Sequence, residues 1–205
     1  TIPPLGLPKD VGAVVANVGT LGNVSRALQN VPVTRKVVTV TGDVAHPAVI
    51  EHLQDLGVTA LFLNPINDSP SLHKYDARNY RHIDRNFGPD PEGDAAIMEA
   101  EDPADPSTWT WTAADSLFLT LVDEVHRRGM RIIVDYSWNH TGTQFWAWQD
   151  VLENQAESPY ADWYEIRGFD DPTTADTNEF AYSGWAGVHE LPEWRKIGRP
   201  EGVRS

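Results

Sequence analysis

Met130-Arg-Ile-Ile-Val-Asp-Tyr-Ser-Trp-Asn-His-Thr-Gly142 is the stretch that decides the fold. Its apolar run ends at Val134, and a carboxylate follows at once in Asp135. An amide and an imidazole come four and five residues later, at Asn139 and His140. A short apolar run just after a helix-ending glycine, Gly129, predicts a buried parallel strand. Polar groups immediately beyond the C-terminal end of such a strand stand where α/β folds place their chemistry.

The flanking sequence supports that reading. Thr112 and Asp115 form a capping box, and Leu117, Phe118, Leu121, Val122 and Val125 share one face, so a helix runs up to Gly129. Further upstream, residues 46–57 read as a helix with Pro47 in its first turn and Val49, Ile50, Leu53 and Leu56 on one face. Val58 to Leu63 is a second apolar strand, ended by Asn64-Pro65, and Val37 to Thr41 is a third. Downstream, Gln144 to Gln155 is helical in pattern. Alternating strands and helices predict a parallel sheet with right-handed crossovers. Residues 64–111 form a long Pro-, Asp- and Gly-rich connection, a length usually associated with function. Residues 1–34 show no period, and residues 158–205 are aromatic and loop-rich.

Composition narrows the function classes. The 205 residues are 40% hydrophobic, enough for one sizeable core. The net charge is −14, with Asp84, Asp90, Glu92, Asp94, Glu99, Glu101, Asp102 and Asp105 concentrated in one region. Such a surface repels phosphate backbones, which excludes nucleic acid as the natural partner. That acidic region is expected to be a solvated loop. No apolar run approaches the roughly 18 residues of a membrane span. Without cysteine there is no disulfide or thiolate metal site, and the compartment, secreted or cytoplasmic, stays open. Thr1 carries neither an initiator Met nor a signal pattern, as in a processed or truncated product. Eight tryptophans serve either packing or ring-stacking, and Trp138, Trp146 and Trp148 are assigned to packing.

Phosphate loops, nucleophile elbows and zincin motifs are absent from the sequence. Two polar clusters remain, Asn64 to Tyr80 and Asp135 to Gly142, each following a predicted strand. Loops after neighbouring parallel strands share one face of the sheet. His73, Tyr75, Asp76, Asp135, Asn139 and His140 are therefore expected to converge.

These residues carry a resemblance. Asp135-Tyr-Ser-Trp-Asn-His140 resembles the first conserved region of the α-amylase superfamily, glycoside hydrolase family 13. Leu56 to Ile66 resembles that family's second barrel strand, and His73-Lys-Tyr-Asp76, Tyr80 and Ile83-Asp84 resemble the loop after it. The His-Lys-Tyr-Asp form is closest in pattern to the neopullulanase and cyclomaltodextrinase branch. Ala161 to Tyr164, Gly184 to Gly187 and Leu191 to Glu193 resemble the excursion called domain B.

The resemblance implies an incomplete (β/α)8 TIM barrel, its first three strand–helix units, with a loop-rich excursion. Residues 46–142 would belong to the barrel and 143–205 to the excursion, while 1–45 is an N-terminal segment without the family's usual first-strand motif, in which Val37 to Thr41 would stand as the first strand. It further implies an α-glucan or maltooligosaccharide substrate, cleaved with retention by a carboxylate nucleophile and a carboxylic acid about 5 Å apart. Tyr75 would stack on the sugar, His140 would bond one of its hydroxyls, and Asp135 would hold the geometry, with His73 and Asp76 beside them. Asn139 matches a calcium ligand of many relatives, although the branch in question often lacks that ion, so the cofactor is none or calcium.

The family nucleophile, acid and third carboxylate follow later strands, and no residue here matches them. A barrel takes about 250 residues, so this chain alone is expected to be inactive. The remaining strands would come from further polypeptide, for example a second chain. The alternative reading is a non-catalytic carbohydrate-binding or interaction protein on the same scaffold.

Overall fold

The computed structural model describes residues 17–18, 36–40, 47–175 and 179–198. Four parallel strands lie side by side in chain order: β1 (Asn17–Val18), β2 (Lys36–Val40), β3 (Val58–Leu63) and a later one at Arg131–Val134. Between β2 and β3 runs α1 (Pro47–Asp55). After β3 come a two-stranded hairpin, β4 (Asn67–Asp68) with β5 (Asn79–Ile83), then α2 (Pro91–Ala100) and α3 (Ala113–Arg127). β6 (Arg131–Val134) returns to pair with β3, Ala60 opposite Arg131 and Leu63 opposite Val134. Beyond it lie α4 (Trp146–Asn154) and a small antiparallel pair, β7 (Ile166–Gly168) with β8 (Ala181–Tyr182). The described strands do not close on themselves. No helix among the described residues is long and apolar enough to cross a membrane.

Both crossover helices form for the reasons legible in their residues. Thr112 Oγ1 accepts the Asp115 amide at 3.1 Å, while Asp115 Oδ2 accepts the Thr112 amide at 3.0 Å. This is a closed capping box at the start of α3. Gly129 stops the helix with φ of 73°, a left-handed turn that a side chain would strain. Ile50 and Leu53 of α1, Val58, Leu61 and Leu63 of β3, and Leu121 and Val125 of α3 make one core. Each such residue contributes about 1.5–3 kcal/mol on full burial. A second core gathers Phe145, Trp148, Val151 and Tyr164, with Tyr80 and Trp194 packed against it.

Four expectations need correction. β6 is a parallel strand but not a buried one: it forms an edge among the described residues, with Ile133 43% exposed. Its apolar alternation has a neighbour on one side only, so burial cannot be completed. Trp138 is 72% exposed rather than packed inside, whereas Trp148 is fully buried. The long connection contains a helix, α2, started by Asp90, whose side chain accepts the Gly93 amide, with Pro91 in the first turn. Its sequence shows no apolar stripe because the side chain it buries is Asp94, not a hydrocarbon.

The acidic stretch is not merely solvated. Asp94 accepts the Ala113 and Ala114 amides at 2.7 and 2.9 Å, capping α3 from a neighbouring helix. Asp84 is fully buried against the Lys74 ammonium at 2.7 Å. Glu101 is buried between Arg81 at 2.9 Å and His82 at 2.8 Å. The other ring nitrogen of His82 meets Asp115 at 2.7 Å. A buried carboxylate persists only where donors replace its water, and each of these three has them.

Candidate active-site edge

β3 and β6 end together, and their ladder runs one residue further. The Asp135 amide donates to the Leu63 carbonyl at 3.0 Å, which sets the Asp135 side chain at the rim of the sheet. The loop between β4 and β5 carries Tyr75 to the same rim. Its phenol donates to Asp135 Oδ2 at 2.7 Å, across 60 residues of sequence. That hydrogen bond, with slight burial and the Asp135 charge, raises the Tyr75 ionisation above the ordinary tyrosine value. The ring keeps 37% of its surface open and is therefore no core tyrosine.

His140 is buried beneath this pair, and its Nε2 stands 2.9 Å from the Tyr75 carbonyl. A carbonyl accepts only, so Nε2 carries the proton and Nδ1 is the lone-pair nitrogen. Nδ1 is buried and meets no hydrogen-bond partner among the described residues. Burial holds the imidazole below the ordinary histidine value, despite its bond to the Tyr75 carbonyl and the opposing charges of Asp76 and Glu193. It is thus neutral near pH 7. The Trp185 ring stacks over it with centroids 6.3 Å apart.

Asp76 accepts the Ser69 hydroxyl at 2.5 Å and also the Ser71 hydroxyl. Burial favours its neutral form, but these donors outweigh burial and keep it ionised below the ordinary aspartate range. His73 lies at the outer end of the same loop, its Nδ1 accepting the Tyr75 amide at 3.2 Å and its ring stacked on Tyr75 with centroids 5.9 Å apart. Of the six residues expected to converge, four form a chain of contacts, His73 to Tyr75, then Tyr75 to Asp135 and His140.

Asn139 enters differently. Its carbonyl accepts the Trp194 amide at 3.1 Å, while the Thr141 amide donates to Pro192 at 3.1 Å. His140 and Glu193 bridge between these, so residues 192–194 return antiparallel to residues 139–141 and close the excursion onto the rim. Among the described residues, no group of three or more His, Cys, Asp or Glu side chains stands together to hold a metal.

Sequence reasoning missed several supports. Tyr80 reaches from β5 to donate to the His140 and Ser137 carbonyls at 2.8 and 3.1 Å, and burial pushes its phenol up to about 12. Ser69 and Ser71 fix Asp76, and Trp185 covers His140. No short-range pattern announces them, since each acts on a partner set by the fold. The fragment Gly184 to Gly187 was the one signal that pointed to Trp185.

Comparison with known proteins places this edge. The family model for the α-amylase catalytic domain matches residues 42–102 and 112–195. The intracellular maltogenic amylase of Bacillus subtilis strain 168 is 39% identical over 135 residues, which is 65% of this chain and 18% of that protein. Neopullulanase 2 of Thermoactinomyces vulgaris is 40% identical over 129 residues, covering 63% of this chain and 18% of its own length. The chain thus spans about a fifth of the length of these relatives. The debranching enzyme of Nostoc punctiforme superposes with a TM-score of 0.52 at 28% identity, over 72% of this chain and 25% of that one. The cyclic α-maltosyl-(1→6)-maltose hydrolase of Arthrobacter globiformis does so with a TM-score of 0.51 at 31% identity, over 72% and 27%. The open sheet is accordingly part of a (β/α)8 barrel, and the chain belongs to the α-amylase catalytic-domain family.

Proposed function

We propose that this chain supplies sugar-binding and site-shaping residues to an α-glucan-active retaining glycoside hydrolase or transglycosylase. The observation that carries this reading is the open Tyr75 ring, held at the rim by its bond to Asp135 and seated on the buried His140. A flat phenol face suits a pyranose ring, and His140 is the hydrogen-bonding imidazole of the same rim. Asp135 orients that face by accepting the Tyr75 phenol, so the ring is held rather than free to rotate. Pre-set groups bind a sugar without ordering cost at the moment of binding. His73 and Asp76 brace the loop from its outer and inner sides.

The maltogenic amylase and neopullulanase matched above support maltooligosaccharides as the substrate class. Bond cleavage in this chemistry needs a nucleophile and a proton donor, and we assign neither role to a residue of this chain. Both would come from further strands of the barrel, in the same polypeptide or a second one.

His140→Ala is expected to weaken maltooligosaccharide binding by about 1–3 kcal/mol, roughly 5- to 150-fold, because a hydrogen bond inside a dry site is lost. Calorimetric titration with maltoheptaose, and turnover of the complete barrel, measure it. Unchanged affinity and rate would remove His140 from the sugar site. A purified 22.8 kDa species that degrades starch would overturn the assignment of cleavage elsewhere.

A further inference from the structure

Residue 74 adopts φ of 63°, a left-handed conformation that side-chain-bearing residues avoid, and here a lysine occupies it. The lysine is nevertheless 93% buried, with 7% of its surface open. Its ammonium meets Asp84 Oδ2 at 2.7 Å and donates to the Ser71 carbonyl at 3.0 Å. It also lies 5.5 Å from the centre of the Phe87 ring. Its own amide donates to the Ser71 hydroxyl at 3.1 Å, so backbone and side chain are both tied down. Asp84 is held in turn, accepting the Ser69 amide at 3.2 Å and the Asn86 amide at 2.9 Å.

The next residue is Tyr75. Its phenol reaches Asp135 and its carbonyl reaches His140, in two directions that both depend on how the chain leaves residue 74. A left-handed residue reverses the course of the backbone and therefore sets which way its successor's carbonyl and side chain point. Such a conformation persists only where surrounding contacts over-determine it. The Lys74 anchor is that over-determination, since an ammonium buried against Asp84 cannot leave without exposing an unpaired carboxylate.

We propose that Lys74 is a positioning residue for Tyr75: its ammonium, locked to Asp84, holds the left-handed turn that delivers the Tyr75 phenol to Asp135 and the Tyr75 carbonyl to His140. The consequence for sugar binding rests on the function proposed above, but the positioning itself does not. Through Asp84, the device also links the sugar-facing loop to the segment that follows β5.

The test uses the 205-residue chain with ¹³Cζ-labelled tyrosine. In the parent, the Tyr75 resonance at neutral pH is expected to carry the displacement of a phenol bonded to a carboxylate. Lys74→Met keeps bulk and removes the ammonium, Asp84→Asn removes its partner, and Lys74→Ala removes the side chain beyond Cβ. Each is expected to move the Tyr75 resonance toward that of free tyrosine while Tyr80 and Tyr164 stay at their parental positions. A spectrum in which a folded Lys74 variant keeps the parental Tyr75 position overturns the proposal. So does collapse of all three variants, which would assign Lys74 to the core at large. Unaltered sugar binding by His140→Ala, with Tyr75 displaced in the Lys74 variants, would overturn the sugar-site reading and leave the positioning role standing.

Discussion

Asp115→Ala is expected to be among the most damaging single changes in this chain, costing about 3–5 kcal/mol, the range for breaking a buried charged pair. The side chain meets three groups from two elements at once. It takes the Ile83 amide at 2.8 Å from β5, the Thr112 amide at 3.0 Å from its own helix start, and His82 Nδ1 at 2.7 Å. Alanine would leave the buried His82 ring facing Glu101 alone and open one half of the α3 capping box. For a chain of this size, the loss corresponds to roughly 6–20 °C in Tm. Scanning calorimetry measures it, and a shift under 2 °C would show that His82 and Ile83 find other partners.

The same cluster makes stability depend on pH. His82 is faced by Asp115 of α3 and by Glu101 at the end of α2, with Arg81 of its own strand sharing Glu101. Burial disfavours its charged form, but the bonds and charges of the two carboxylates outweigh burial and raise it above the ordinary histidine value. A raised folded-state value means that the stabilisation is fully present below about pH 6.5, the unfolded value, and is lost as pH rises through the folded one. Asp115 and Glu101 behave oppositely. Burial resists their ionisation, His82 and the backbone amides of Ile83, Thr112 and Thr110 outweigh it, and both lie below the ordinary carboxylate range. Their contribution is present above about pH 4 and is lost as pH falls through those lowered values. The chain should therefore lose Tm on passing from pH 6 toward pH 9, and His82→Gln should flatten that alkaline decline. An unchanged slope in His82→Gln would place the alkaline loss elsewhere.

Gly142→Ala is the second large effect. A Cβ at residue 142 would stand 2.2 Å from the Asp76 carbonyl oxygen and 2.6 Å from its carbon. Both are backbone atoms, which cannot swing aside as a side chain does. The Gly142 amide already donates to the Ala77 carbonyl at 3.0 Å, so the two loops touch main chain to main chain. Overpacking of this kind costs about 1–3 kcal/mol, and here it would force apart the loops carrying Tyr75 and His140. A fall of roughly 2–12 °C in Tm is expected, with weakened sugar binding beside it. Parental stability and binding in Gly142→Ala would mean that the loops tolerate separation.

Much of the scaffold was legible in residues alone. The period of α3, its Thr112–Asp115 box and the Gly129 stop are local devices, and local devices act within a few residues wherever they occur. The parallel pairing of β3 with β6 followed from the apolar runs and the helix between them. The failures share a cause as well. Asp84, Asp94 and Glu101 read as surface charge because burial of a carboxylate depends on donors remote in sequence: Lys74, the α3 amides, and Arg81 with His82. Trp138 read as core and is exposed because packing depends on which neighbours arrive, not on side-chain character. The α2 helix escaped because it shows no apolar stripe.

The candidate site divides the same way. The sequence by itself determined that Tyr75, Asp135 and His140 follow adjacent strands, and hence that they share one rim of the sheet. Strand length, crossover handedness and strand order leave little freedom in that outcome. Only the tertiary structure decided how they meet: the Tyr75 phenol on Asp135 and its carbonyl on His140. Those contacts depend on a left-handed turn at Lys74 and on the close approach of Gly142 to Asp76. The first is held by the ion pair with Asp84 and the second by main-chain contact between distant loops, and no local pattern encodes either.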